Sequence, residues 1–259
     1  MSNYEQFKRE CAEEVTTQGA DSALDLASRE WINRANPRKY SYHFEWLGRP
    51  IIQYPQDMVA VQELIWSIKP DLIIETGIAH GGSLVFSASL LALLDMCDAI
   101  EAGEKLDPNV SRRKVLGIDI DIRAHNRVAI EAHPLAKRIH MIQGSSISAE
   151  VVRQVKEIAM PYQRILVCLD SNHTHDHVLA ELEAYAPLVS HGSYCVVFDT
   201  VIDDMPADMF PARSWGPGNN PKTAVCEYLK SHPEFEIDKR IQHKLLITVA
   251  PDGYLKRVA

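Results

Sequence analysis

From Asp71 onward the chain alternates short apolar runs with amphipathic stretches. This is the pattern of βαβ units, in which parallel strands are apolar on both faces because helices cover both faces. The runs LIIET (72–76), KVLGID (114–119), IHMIQ (139–143), ILVCLD (165–170) and YCVVFD (194–199) are expected as strands, with helices near 82–97, 123–132, 148–159, 175–187 and 221–231. FEIDKR (235–240) and KLLITVA (244–250) lie too close together for a helical crossover and are expected as an antiparallel hairpin at the sheet edge. The expected fold is α/β: a doubly wound, mostly parallel, seven-stranded sheet of Rossmann-like type.

Residues 1–69 read as a helical N-terminal extension packed on a core formed by 70–259. The extension carries Trp31, Tyr40, Tyr42, Phe44, Trp46 and Trp66, with Pro37, Pro50 and Pro55 at irregular connections. Val59, Leu64, Ile65 and Ile68 recur at helical spacings over 56–68, and Lys69-Pro70 ends that run. A chain of 259 residues with 46% hydrophobic content can form one core of this type. The aromatic extension is compatible with a homo-oligomer.

A formal net charge of −8 argues against a nucleic-acid partner, which would need a basic surface, and favours a small-molecule one. The five cysteines include no C-x-x-C pair and read as reduced thiols. The N-terminal segment is charged where a signal peptide would be apolar, and no run is read as a bilayer span. A cytoplasmic protein without membrane contact is therefore expected.

Ligands of doubly wound sheets bind beyond the carboxyl ends of the strands, so the residues leaving each strand carry the functional argument. The first exit reads Glu75-Thr76-Gly77-Ile78-Ala79-His80-Gly81-Gly82-Ser83. Its glycines permit a tight turn close to a ligand, amides at the next helix start can bind a carboxylate, and Glu75 can accept from a cofactor's amino group. An acid before Gly77 and the wide glycine spacing distinguish this loop from a pyrophosphate-binding G-x-G-x-x-G; the bland alternative is a tight turn. The second exit, Gly117-Ile118-Asp119-Ile120-Asp121, sets Asp119 where such folds hold a ribose diol, while Asp121 reads more simply as a helix cap. The third, Gln143-Gly144-Ser145-Ser146, suits an adenine edge, although Ser146 or Ser148 can instead cap the following helix.

The fourth run empties into Asp170-Ser171-Asn172-His173-Thr174-His175-Asp176-His177, the densest ionisable cluster in the chain, and the fifth ends in Phe198-Asp199-Thr200. Asp170 and Asp199 are expected to project from neighbouring strands into one crevice, where paired carboxylates suit Mg²⁺ unless they merely cap helices or bind amides. His173 is the leading candidate for the base that takes a hydroxyl proton. His175 and His177 are the alternatives, and a solvated or capping histidine is the ordinary reading of each. The stretch from Val201 to Asn220 reads as a lid or binding loop, or as packing against the N-terminal extension.

Five parallel strands followed by a hairpin are similar to the strand inventory of class I methyltransferases. KPDLIIETGIAHGGS, VLGIDIDI, LDSNHTHDHVLAELEAYAPLVSHGSY and the WGPGNNP segment resemble the cephalosporin hydroxylase family over about residues 45–255. That resemblance implies S-adenosylmethionine held through Glu75, Gly77, Ser83 and Asp119, with Gly81, Ser145 and Ser146 beside them. It also implies Mg²⁺-supported O-methylation of a sugar or natural-product hydroxyl, the small-molecule acceptor. The family's metal site looks like an aspartate after the fourth strand and a Glu-Asp pair after the fifth. Asp170 and Asp199 match it, Phe198 stands where the glutamate would be, and Asp203 or Asp204 are the candidates to compensate. Two other classes remain: a non-heme iron hydroxylase using His173, His175 and a carboxylate, which wants a β-barrel scaffold, and a non-catalytic nucleoside-binding protein. A nicotinamide oxidoreductase would need the pyrophosphate loop that is missing.

Overall fold

A computed structural model describes residues 2–108 and 110–259. The N-terminal part comprises α1 (Asn3–Gly19), α2 (Ser22–Ala35), 3-10 turns at Asn36–Arg38 and Tyr40–His43, a small hairpin of β1 (Phe44–Trp46) and β2 (Arg49–Ile51), and α3 (Pro55–Ile68). Next come β3 (Leu72–Thr76), α4 (Gly82–Ala102), β4 (Lys114–Asp119), α5 (Ala124–Glu131), β5 (Ile139–Gln143), α6 (Ala149–Ala159), β6 (Ile165–Leu169), α7 (His175–Tyr185) and β7 (Tyr194–Val197). The chain closes with α8 (Pro221–Tyr228), β8 (Phe235–Ile237), α9 (Lys239–Leu245) and β9 (Tyr254–Arg257).

The seven-stranded sheet has the order β5-β4-β3-β6-β7-β9-β8. β3 to β7 run parallel, and β9 lies antiparallel to both β7 and β8. β3, β6 and β7 are buried along their whole length, as strands covered on both faces must be. Their side chains alternate between two cores. Ile73, Val115, Leu166 and Val196 pack with α3, α4 and the aromatic residues of the N-terminal part, whereas Leu72, Ile74, Leu116, Val167 and Val197 pack with α6, α7 and α8. Ile32, Ile51 and Tyr54 belong to the first core, so the N-terminal part shares apolar packing with the sheet.

Two expectations need correction. The sheet-edge pairing is antiparallel, but KLLITVA is not its second strand: α9 ends at Leu245, Leu246 turns with a φ of 59°, and the pairing strand is β9. The buried Asp57 carboxylate accepts from Val249 N at 2.9 Å and from the Thr248 hydroxyl, tying 248–249 to α3 instead of to the sheet. Secondly, α4 is long and apolar enough, by length and composition, to cross a membrane. Its apolar character has a local cause, because Leu84, Val85, Phe86, Ala88, Leu91 and Leu94 are all buried in the fold.

The strand order reverses between β3 and β6, and crevices of doubly wound sheets open at such a switch point, beyond the carboxyl ends. A cleft of about 460 Å³ lies there, bounded by the exits of β3, β4, β6 and β7 and by the N-terminal part.

Candidate active site

The β3 exit is shaped by close backbone packing. Gly77 has a φ of 88°, and a Cβ there would lie 2.1 Å from the Asp170 carbonyl oxygen, so only glycine fits between the tips of β3 and β6. Gly81, with a φ of 81°, is the left-handed residue that starts α4 and packs against Ile130; unlike Gly77 and Ser83 it does not line the cleft. Arg49 donates to the His80 carbonyl at 3.0 Å and Asn126 to that of Ala79 at 2.9 Å, which fixes the turn from outside.

Glu75 shares the inner face of β3 with Ile73 and is only 4% exposed. It lies behind the cleft and reaches it through Ser83, whose hydroxyl donates to its carboxylate. Burial pushes its carboxyl up to about 7, against the lowering effect of the Ser83 hydrogen bond.

Asp119 faces the cleft. Its Oδ2 accepts from Ile78 N at 2.8 Å and Ala79 N at 3.3 Å, and its Oδ1 from Asp121 N at 2.9 Å. The carboxylate thereby locks the glycine loop to the β4 tip while retaining lone pairs for a diol. Asp121 is exposed and does not cap α5, which begins after Arg123 without a side-chain cap. Ser145 and Ser146 line an adjoining cavity of about 160 Å³ with Asp119, Ile120, Ser171, Asn172 and His177. Ser148, not Ser146, caps α6.

The histidines separate cleanly. His175 stands at the start of α7, its Nδ1 2.8 Å from the Thr223 hydroxyl, and does not line the cleft. The Nε2 of His177 contacts the Ser146 hydroxyl at 3.1 Å and lies 3.4 Å from Glu181, on the Asp119 side. His173 is the one at the acidic end, with Nε2 3.2 Å from Asp199 Oδ2.

Asp170, His173 and Asp199 present ligand atoms within 4.8 Å of one another. Asp170 is held well above the usual carboxylate range, first by burial and then by the charge of Asp199. A cation between them would relieve that repulsion. Phe198 is buried in the core and offers no donor. Neither Asp203 nor Asp204 compensates: Asp203 accepts from Gly218 N and Asn220 Nδ2, and Asp204 pairs with Arg29 and Lys222. Instead, Gln53 donates to Asp170 Oδ2 at 3.0 Å, and its buried Oε1 has no protein partner. Two carboxylates, a free amide oxygen and open cleft for water fit a Mg²⁺ ion, which needs few protein ligands. Sequence reasoning missed Gln53, which sits in an irregular IIQYPQ segment with no motif around it.

The lid stretch opens with a 3-10 turn at Thr200–Asp204. Asp203 ties the turn to the far end of the loop through Gly218 N at 3.0 Å and Asn220 Nδ2 at 2.7 Å. Between these ties Met205, Phe210, Arg213 and Trp215 close one wall of the cleft. Trp215 packs edge-on against His173 with centroids 5.7 Å apart, and Asn36, Lys39, Ser41 and Tyr42 form part of the remaining wall.

The chain is similar to known proteins over most of its length. A protein named rhamnosyl O-methyltransferase from Mycobacterium tuberculosis (strain H37Rv) is 31% identical over 206 residues, covering 78% of this chain and 73% of that protein. One of the same name from Mycobacterium leprae is 28% identical over 216 residues, covering 82% of each. Among solved structures, CmcI with magnesium and S-adenosylmethionine superposes with a TM-score of 0.55 at 18% identity, covering 84% of this chain and 78% of its own. A TDP-rhamnose 3'-O-methyltransferase of calicheamicin biosynthesis gives 0.52 at 15% identity, covering 99% and 95%. Both share the fold. The family model described as rhamnosyl O-methyltransferase/CmcI matches residues 38–258, which include the whole seven-stranded sheet and the cleft lining except Asn36, and the chain belongs to that family of O-methyltransferases.

Proposed function

We propose that the protein transfers the methyl group of S-adenosylmethionine to a hydroxyl of a sugar or sugar-bearing natural product, with Mg²⁺ at its acidic end. The observation that carries the reading is one cleft lined both by Asp119, Gly77 and Ser83 and by Asp170, His173 and Asp199. The relatives named rhamnosyl O-methyltransferase support a sugar acceptor.

When bound, the sulfonium nucleoside supplies an electrophilic methyl group, and the cation acidifies a hydroxyl that it touches. Asp119 is placed to take the ribose diol, and the loop Gly77–Ser83, with Glu75 behind it, to take the amino acid end. The Ser145–Ser146 cavity beside Asp119 has the size and polarity for an adenine edge. Asp170 and Asp199 would hold the cation, with Gln53 orienting Asp170. A neutral His173 that donates Nε2–H to Asp199 keeps Nδ1 as an acceptor for the hydroxyl proton. Trp215 and Phe210 shield that end from water, which strengthens the charge interactions inside.

The spacing of the three ligand groups favours a second reading, in which His173 is itself the third ligand in place of the glutamate lost to Phe198. Pulsed EPR of the Mn²⁺-loaded protein separates the two: imidazole nitrogen coupling to the metal means ligand, its absence means base.

The reading is tested by incubating the protein with methyl-labelled S-adenosylmethionine, Mg²⁺ and rhamnose-bearing acceptors. Label in the sugar, lost with EDTA and restored by Mg²⁺, is expected. Cofactor binding without transfer to any hydroxyl would overturn it in favour of a nucleoside-binding protein, and oxygen-dependent oxidation with bound Fe²⁺ in favour of a hydroxylase.

A further inference from the structure

In a chain of net charge −8, several cations have acidic or carbonyl partners: the buried Arg113 and Arg138 share Asp95, Arg29 and Lys222 share Asp204, and Arg49 holds the His80 carbonyl. Two cleft-lining cations differ. Lys39 and Arg213, both exposed at the mouth of the cleft, line it from the N-terminal part and from the lid, and neither has an acidic partner within salt-bridge distance among the described residues. Each lies near an aromatic ring, Lys39 Nζ 5.9 Å from the Tyr42 centroid and Arg213 Cζ 5.6 Å from that of Trp215. Such contacts hold a cation loosely in place without neutralising it. Trp215 is also the ring that touches His173, so Arg213 stands one indole away from the reacting end. The carboxylates of the cleft, Asp119, Asp170 and Asp199, come from the strand tips, and each has partners of its own there.

From this arrangement we infer that the acceptor carries an anionic group beyond the sugar that is methylated, gripped between Lys39 and Arg213 as the lid meets the N-terminal part. The ligand class is a sugar bearing a phosphate, a diphosphate linkage or a carboxylate. A neutral glycoside would leave both cations idle and forgo their steering of the substrate toward an acidic protein. The inference rests on the methyl-transfer reading for the place of the sugar, but the anion site itself can be tested without turnover.

Uridine diphosphate and sodium glucuronate are each titrated by calorimetry into metal-free protein saturated with S-adenosylhomocysteine, so that chelation plays no part. At least one is expected to bind, which tells phosphate from carboxylate, and the affinity should fall as salt is raised. Arg213→Ala and Lys39→Ala should each weaken binding by about 10-fold, with Arg213→Lys recovering part of the loss. S-adenosylhomocysteine affinity and the circular dichroism spectrum should be unchanged in all three. Binding of neither anion, or equal binding by wild type and both alanine variants, would overturn the inference. Anion binding without methyl transfer to any sugar would leave it standing and sink the methyl-transfer reading instead.

Discussion

His173 Nε2 lies 3.2 Å from Asp199 Oδ2, joining the exit of β6 to that of β7 at the floor of the cleft. Asp199 reaches this position with a φ of 57°, a left-handed conformation more accessible to aspartate than to most side chains. His173→Ala should lower kcat by about 10²- to 10⁴-fold, the usual range for a general base, with the affinity for S-adenosylmethionine unchanged. Rates and calorimetry on the same preparations check this; a variant with wild-type kcat would remove His173 from the chemistry.

Glu75 makes stability and cofactor binding respond oppositely to one substitution. Its folded-state carboxyl, raised to about 7 by burial, exceeds the value of about 4.3 expected in the unfolded chain. Ionising it in the folded state therefore costs stability. The cost is absent below about pH 4, grows as pH rises toward 7 and is complete above that. Glu75→Gln should stabilise the ligand-free protein at pH 8, by at most about 3 to 4 kcal/mol, since the shift spans between two and three units and each unit is worth about 1.36 kcal/mol. It should weaken S-adenosylmethionine binding at the same pH. Thermal unfolding with and without the nucleoside provides the measurement, and a destabilised apo variant would contradict the assignment.

Gly77→Ala has nowhere to go. With a φ of 88° and the Asp170 carbonyl 2.1 Å from the added carbon, the tips of β3 and β6 must separate. Strain of this kind is expected to cost roughly 1–3 kcal/mol and to disturb both ends of the cleft together. The variant should melt lower and lose both cofactor affinity and methyl transfer; retention of either function would show that the two tips need not touch.

The lid is latched by one carboxylate. Asp203 is held below the usual range because its bonds from Gly218 N and Asn220 outweigh the effect of burial. The latch is therefore formed above the ordinary carboxylate range and is lost as pH falls through the lowered folded value. Asp203→Ala should raise the acceptor KM several-fold while leaving cofactor affinity alone, because the released segment carries Phe210, Arg213 and Trp215. Equal effects on both substrates would mean that the loop does not serve the acceptor end.

Local pattern accounts for β3 to β7, whose apolar runs are bounded by turn residues and, in β3, β6 and β7, buried on both faces. It fails at 244–250, where an equally apolar run is claimed by the Asp57 carboxylate, 191 residues from Thr248, while the strand that pairs with both β7 and β8, Tyr254–Arg257, is short and half basic. The acidic tips are legible for the same reason as the strands: Asp119, Asp170 and Asp199 follow directly from apolar runs. Which histidine joins them is decided by α7, which turns His175 toward α8 and His177 toward Ser146, and helical spacing alone gives no origin for that rotation. Gln53, Lys39 and Arg213 come from segments far from the strand tips, with nothing local to mark them.

If one cleft binds the nucleoside at Asp119 and performs the transfer at Asp170 and His173, binding and transfer are lost separately. Calorimetric titration of S-adenosylhomocysteine into Asp119→Ala and into the Asp170→Asn/His173→Ala double variant, each confirmed folded, tests it most directly. At least about 10-fold weaker binding is expected in the first and wild-type binding without methyl transfer in the second. Undiminished nucleoside affinity in Asp119→Ala would contradict it.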